Sequence, residues 1–191
     1  MAGWAKAPGR EADMKLETVV TQPVIEGARI LLRPLRRSDE GMIGFFTADR
    51  RLAEMTVSIP HPLPPGAAAA FVARAMAGER AEHVWAMDGS GDGQAEVIGV
   101  ISLRPVERAQ SEIAYWVAPA FWNAGYASEA VQAMVAANPL GNTHYFASVF
   151  QDNPASARVL TNAGFAYLGD AEAFCVARGA TVPTWTYSRR L

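Results

Sequence analysis

The stretch Ala118-Pro-Ala-Phe-Trp-Asn-Ala-Gly-Tyr-Ala-Ser-Glu-Ala130, together with the segment before it, Glu112-Ile-Ala-Tyr-Trp-Val117, decides how the chain is read. The earlier segment alternates like a half-buried strand, and the run after Gly125 is rich in small, helix-forming residues. A turn with one glycine therefore joins a strand to a helix. Backbone N–H groups at such a junction have no partners inside the helix, and the helix dipole favours an anion there. Gly125 lets the backbone approach a bound group, and Ala127 adds little bulk. By itself the pattern fits a phosphate cradle or an ordinary tight strand-to-helix turn.

Upstream of this junction, residues 28–34 alternate as a strand, with Ile30 and Leu32 on one face and Arg29, Leu31 and Arg33 on the other. Pro34 ends its ladder. Ser38 and Asp39 offer helix-starting acceptors, and Met42, Ile43, Phe45 and Phe46 form a helical apolar stripe. A second short helix spans 50–55. Pro60, Pro62, Pro64 and Pro65 make residues 58–65 a loop. Residues 66–78 are helical, either a lid over a cleft or a cover for a sheet face. Strands at 82–87 and 96–103 flank Asp88-Gly-Ser-Gly-Asp-Gly93, a hairpin turn that lacks the Gly-Lys-Ser/Thr ending of a nucleotide loop.

Downstream, the helix runs over 126–136 and stops at Asn138-Pro-Leu-Gly141. Residues 144–150 form a strand. Asn153 caps a helix that starts at Pro154 and ends at Gly164. A strand begins at 165–168, and the last runs over 184–189. This order predicts an α/β fold: a central mixed β-sheet with helices on both faces. Residues 23–191 read as one domain and 1–22 as a flexible N-terminal extension.

Composition narrows the function. Hydrophobic residues make up 50% and charged residues 19%, which suits a globular core. The net charge of -2 and the lack of a basic tract speak against nucleic-acid binding. No run of about 18 uncharged apolar residues is present, so no membrane span is expected. Cys175 is the only cysteine, and His61, His83 and His144 lack ligand spacing, so neither a disulfide nor a metal site is expected. Without an export signal or disulfides, the expected location is cytoplasmic. No Gly-x-Gly-x-x-Gly follows the first strand, which argues against a dinucleotide oxidoreductase.

Three segments in order resemble the Gcn5-related N-acetyltransferase (GNAT) superfamily, especially the branch with the ribosomal-protein N-terminal acetyltransferases. They are Arg29-Ile-Leu-Leu-Arg-Pro-Leu-Arg-Arg-Ser-Asp39, the run from Ile113 to Ala130, and Asn153-Pro-Ala-Ser-Ala-Arg-Val-Leu-Thr-Asn-Ala-Gly-Phe165. The family's pyrophosphate loop, Gln/Arg-x-x-Gly-x-Gly/Ala, falls on Trp122-Asn-Ala-Gly-Tyr-Ala127. The branch commonly has a glycine and a base where this chain has Asn123 and Ala124, so one phosphate-facing charge is missing and weaker cofactor affinity is expected. The resemblance implies that acetyl-coenzyme A binds at a strand splay. Groups near Val117 would hold the pantetheine arm, and Trp122, Asn123, Ala124, Gly125, Tyr126, Ala127 and Ser128 would form the pyrophosphate loop. Asn153 would contact the coenzyme arm, cap its helix, or do both.

The implied reaction moves an acetyl group from acetyl-CoA to a primary amine by direct attack in a ternary complex. The acceptor is a small molecule or a protein N-terminus, and a homodimer is compatible with the resemblance. The amine must lose a proton, and a carboxylate can take it directly or through water. Glu112 is the candidate base; strand alternation sets it on the face of Ala114 and Trp116, opposite Ile113 and Tyr115. The other reading of Glu112 is a strand-end residue in an ion pair or facing solvent. Ser156 is the candidate proton donor to the leaving sulfur, with helix capping or packing as its other role. Trp85, Phe121, Trp185 and Tyr187 are candidate acceptor-cleft walls or core residues, and Cys175 reads as core. The competing function is a non-catalytic acyl-CoA-binding sensor.

Overall fold

The computed structural model describes residues 22–191. The expected extension lies outside them except for Gln22, whose side-chain amide donates to the Val84 carbonyl at 2.7 Å. The strands are β1 Ile25–Glu26, β2 Leu31–Pro34, β3 His83–Asp88, β4 Gly99–Pro105, β5 Gln110–Val117, β6 His144–Phe150, β7 Ala166–Cys175 and β8 Ala180–Arg190. They form one sheet in the order β1-β2-β3-β4-β5-β6-β8-β7. The β5–β6 pair is parallel and the other neighbours are antiparallel. The helices are α1 Glu40–Thr47, α2 Arg50–Ala53, α3 Ala67–Ala75, α4 Tyr126–Ala137 and α5 Pro154–Asn162. Helix α4 is the crossover that a parallel pair requires.

Both sheet faces are covered, as the mixed α/β expectation holds. On one face Val131 and Met134 of α4 and Leu160 of α5 join Leu32, Ile101, Ile113 and Tyr145 in the larger core. On the other, Ile43 of α1 and Val72 of α3 pack on Val84, Ala86 and Val100. Helix α3 thus covers a sheet face, and its Ala67, Ala68 and Phe71 also line a cleft. The covering role therefore holds.

Two local readings are corrected. Alternation puts Arg33 outward beside Arg29, yet Arg33 is only 1% exposed. Its Nε donates to Asp88 at 2.7 Å, and Nη1 and Nη2 donate to Asp39 at 2.9 Å each. Nη2 also reaches the Glu96 carbonyl at 3.1 Å. A guanidinium with its fork filled by two carboxylates tolerates burial. Asp39 consequently turns back toward β2 and does not cap α1. The second correction is the length of the last hairpin. Strand β8 has 11 residues, far longer than 184–189, and β7, for which only a beginning at 165–168 is expected, runs for 10. Strand β7 is an exposed edge carrying Gly169, Asp170 and Glu172, so it lacks the alternation that marks a half-buried strand.

Candidate active site

Strands β5 and β6 are paired only from Gln110↔His144 to Glu112↔Phe146. Beyond that rung each follows its other neighbour: β5 stays on β4 as far as Gly99↔Val117, and β6 stays on β8 as far as Phe150↔Thr184. The two strands part, and the backbone edges of residues 113–117 and 147–150 face a gap. A cavity of about 550 Å³ occupies this place, lined by Ala114, Tyr115, Trp116 and Ala147 through Phe150, with Asn153 and Ser156 at the α5 end. Residues 55–60 from the segment after α2, with α1 and α3, make its far wall.

The loop between β5 and α4 stands beside Val117, the last residue of β5. Asn123 and Gly125 are left-handed, with φ of 60° and 85°. Among the described residues, no N–H from Asn123 to Ser128 has a hydrogen-bond acceptor. A row of orphan donors at the start of a 12-residue helix fits a diphosphate. The Trp122 indole donates to the Val117 carbonyl at 2.6 Å, and the Tyr126 hydroxyl donates to Asp92 at 2.8 Å. Both aromatic rings thus fasten the loop to its surroundings. The bond to Asp92 pushes the Tyr126 phenol up from its usual value.

Arg29, in the turn between β1 and β2, is the cation beside this loop, and it is paired with Glu129. Arg29 Nη1 donates to the Ala124 carbonyl at 3.1 Å, and its guanidinium lies 4.5 Å from the Tyr126 ring centroid. Glu129, in the first turn of α4, holds Arg29 Nε at 2.9 Å and accepts the Arg29 and Ile30 backbone N–H groups at 2.5 and 3.1 Å. Burial opposes ionisation of Glu129, but these bonds outweigh it and hold the carboxyl below its usual range. In the sequence, Arg29 is an outward strand residue that opens the first GNAT-like segment, with no role at the loop. Its partner stands 100 positions away, so the sole local signal is an acid in the first turn of α4.

Residues 29–166 match the acetyltransferase (GNAT) domain family. The chain belongs to this family. Several solved GNAT structures share its fold at low identity. An acetyltransferase from Bacillus anthracis has a TM-score of 0.73 at 20% identity, covering 88% of this chain and 98% of its own. Mycobacterium smegmatis RimJ, solved with CoA-disulfide, has 0.72 at 17%, with 88% of each chain covered. Spermidine N-acetyltransferase from Vibrio cholerae, solved with CoA and spermine, has 0.71 at 16%, covering 85% and 95%. Among curated proteins, the uncharacterized N-acetyltransferase YoaA of Bacillus subtilis is 33% identical over 97 residues. That match spans 49% of this chain and only about half, 55%, of the relative. Members of different GNAT branches stand at similar structural distance, so the shared family is established at the level of the superfamily.

Within this GNAT domain, Glu112 sits on the last paired rung of the splay and lines the cavity. It forms an ion pair with Arg104, its neighbour across β4. The face assignment holds: Trp116 packs with the α1–α3 core, whereas Ile113 and Tyr115 pack with the α4–α5 core. Asn153 Oδ1 accepts the Ser156 N–H at 3.2 Å, so the cap is formed. Asn153 also borders the cavity. Tyr115, not singled out from sequence, places its hydroxyl 3.0 Å from Ser156 Oγ and 3.1 Å from the Ser156 carbonyl. Burial pushes the Tyr115 phenol up, so it stays protonated at neutral pH. Carboxylate and hydroxyl pair thus border one cavity from opposite sheet faces.

Of the two roles open to the four candidate aromatics, core and cleft wall, the core one holds. Trp85, Phe121 and Tyr187 belong to or pack on the larger core, as does Trp185, and none of the four lines the cavity. Phe71, Tyr115, Trp116 and Phe150 line it instead. His83 and His144 are half-buried strand residues away from it, and Cys175 is fully buried. Among the described residues, no group of three or more His, Cys, Asp or Glu side chains is arranged to hold a metal ion. No helix among them is long and apolar enough to cross a membrane.

Proposed function

We propose that this GNAT protein transfers an acetyl group from acetyl-CoA to a primary amine, on a small molecule or a protein N-terminus, by direct attack. The observation that carries the reading is the gap between β5 and β6, whose mouth adjoins the orphan N–H groups of residues 123–128. An arm containing amides suits the two unpaired strand edges, and a diphosphate suits the loop. Acetyl-CoA would supply the thioester acyl group. Glu112 takes the proton the amine loses as the new N–C bond forms, and Ser156 gives one to the sulfur as the C–S bond breaks. The Tyr115 hydroxyl donates to the Ser156 carbonyl and accepts from Ser156 Oγ in this scheme, which holds the serine hydroxyl in place at the cleft until its proton is needed. Arg29, paired with Glu129, braces the loop through the Ala124 carbonyl. Placement in the branch of ribosomal-protein N-terminal acetyltransferases rests on the motif resemblance. The ion pair between Arg104 and Glu112 favours one other reading, a coenzyme-binding sensor, because it engages the carboxylate that turnover needs.

Calorimetric titration with acetyl-CoA tests the cofactor, and folded protein that binds none refutes the proposal. A panel of amines, amino acids and short peptides followed by thiol release then separates enzyme from sensor. Binding without release across the panel selects the sensor.

A further inference from the structure

The turn between β7 and β8 reaches across the molecule to the segment after α2, and one side chain joins it to a third element. Arg178 Nε donates to the Glu54 carbonyl at 2.7 Å. Its Nη1 and Nη2 take both oxygens of Asp152 at 2.6 and 3.3 Å, and the guanidinium lies 5.0 Å from the Phe150 ring centroid. Two further bonds run alongside: Val176 N–H to the Val57 carbonyl at 3.0 Å, and Cys175 S–H to the Thr56 carbonyl at 3.3 Å. The segment so held leads directly into the wall of the cavity at residues 55–60. Asp152 directly precedes Asn153, the cap of α5, and that helix carries Ser156. The Arg178 side chain is 20% exposed and that of Asp152 53%, so the bond to the Glu54 carbonyl is partly shielded from water while the ion pair is open to it.

We infer that Arg178 is a positioning residue that ties the acceptor wall of the cleft to the start of α5, so that filling the coenzyme side steadies the acceptor side. The physical ground is the planar fork of the guanidinium. Its Nε is committed to the Glu54 carbonyl, just before the wall, and its Nη donors to Asp152, with Nη2 also against the Met55 sulfur of the wall, so movement of either partner breaks the other's geometry. This coupling rests on the proposed function only where it invokes the coenzyme.

Cys175 reports the state of this tie. It is the only cysteine of the chain, it is fully buried, and its sulfur lies beneath the Glu54 and Thr56 carbonyls. A thiol-reactive disulfide reaches it only when the tie opens. The experiment compares the rate of Cys175 modification in the full-length protein with Arg178→Met, which keeps the aliphatic stem, and with Arg178→Lys. Loss of the charged bonds predicts modification about tenfold faster or more in the Met variant, with the Lys variant between. Saturating acetyl-CoA slows modification in the native protein and fails to do so in the Met variant. A purely structural role leaves that coenzyme protection intact in the Met variant and overturns the coupling. Equal rates without coenzyme overturn the tie. So does an acceleration with the full denaturant dependence of global unfolding, which marks a variant that merely folds poorly. If the native protein binds no acetyl-CoA in calorimetry, the proposed function and the coupling fall, while the rates without coenzyme still decide the tie.

Discussion

Replacing Gly125 by alanine separates the backbone of the loop from its side chains. Gly125 has φ of 85°, a conformation that costs an L-residue about 1–2 kcal/mol. An added Cβ lies 3.4 Å from Arg29 Nη2, ordinary contact, so the torsion and not a clash sets the cost. For a chain of this length each kcal/mol lowers Tm by about 2–4 °C, giving a fall of about 2–8 °C. If the loop relieves the strain by turning, at least one N–H leaves the diphosphate. A hydrogen bond to a charged group is worth about 1.5–3 kcal/mol, so Kd for acetyl-CoA rises about 10- to 150-fold. Gly141→Ala is the control, because Gly141 has φ of 62° beyond the far end of α4 and an added Cβ there meets nothing within 4 Å. It lowers Tm and leaves Kd alone. Thermal melts and calorimetry read both quantities. An unchanged Kd in a destabilised Gly125→Ala protein refutes the assignment of the loop to the diphosphate.

Glu112→Gln lowers kcat about 10²–10⁴-fold with Kd for acetyl-CoA unchanged, and an unaltered single-turnover rate removes Glu112 as the base. Tyr115→Phe slows the chemical step and leaves coenzyme affinity as it was; equal single-turnover rates show that Ser156 works without it. Arg29→Met weakens acetyl-CoA about tenfold and Arg29→Lys recovers part of the loss, whereas identical titrations exclude the guanidinium from the diphosphate site. His83 is half-buried and near Arg80, and burial followed by that charge lowers its affinity for a proton. The native state therefore prefers the neutral ring: its contribution is complete above about pH 6.5 and diminishes as pH falls toward the lowered folded-state value. Thermal melts from pH 7.5 to 5.0 lose less stability in His83→Gln than in the native protein, and parallel curves contradict this.

What could be read beforehand follows the range of the interaction. Asn153, Pro154 and Gly164 mark α5 by local rules of capping and turning, and the helix occupies Pro154–Asn162. The small-residue turn before α4 was legible for the same reason. The splay was reached only by resemblance, since no residue in β5 announces where its pairing with β6 ends. Arg33 misled because alternation knows nothing of Asp88, 55 residues away. Tyr115 was placed on the right face, but its hydroxyl bond to Ser156 spans 41 residues. Arg29 and Arg178 likewise act through partners that only the folded chain brings near.

The three rungs that join β5 to β6 make the sheet two leaves on a short spine. Each leaf is held along its length by antiparallel ladders of its own, so backbone pairing, not the lining side chains, sets the width of the opening. Substitutions at residues 55–60 or along α3 therefore change what the cleft accepts and leave the cleft in place. Under the proposed function, such a division lets the choice of amine drift in evolution while the hold on a common acyl donor stays fixed.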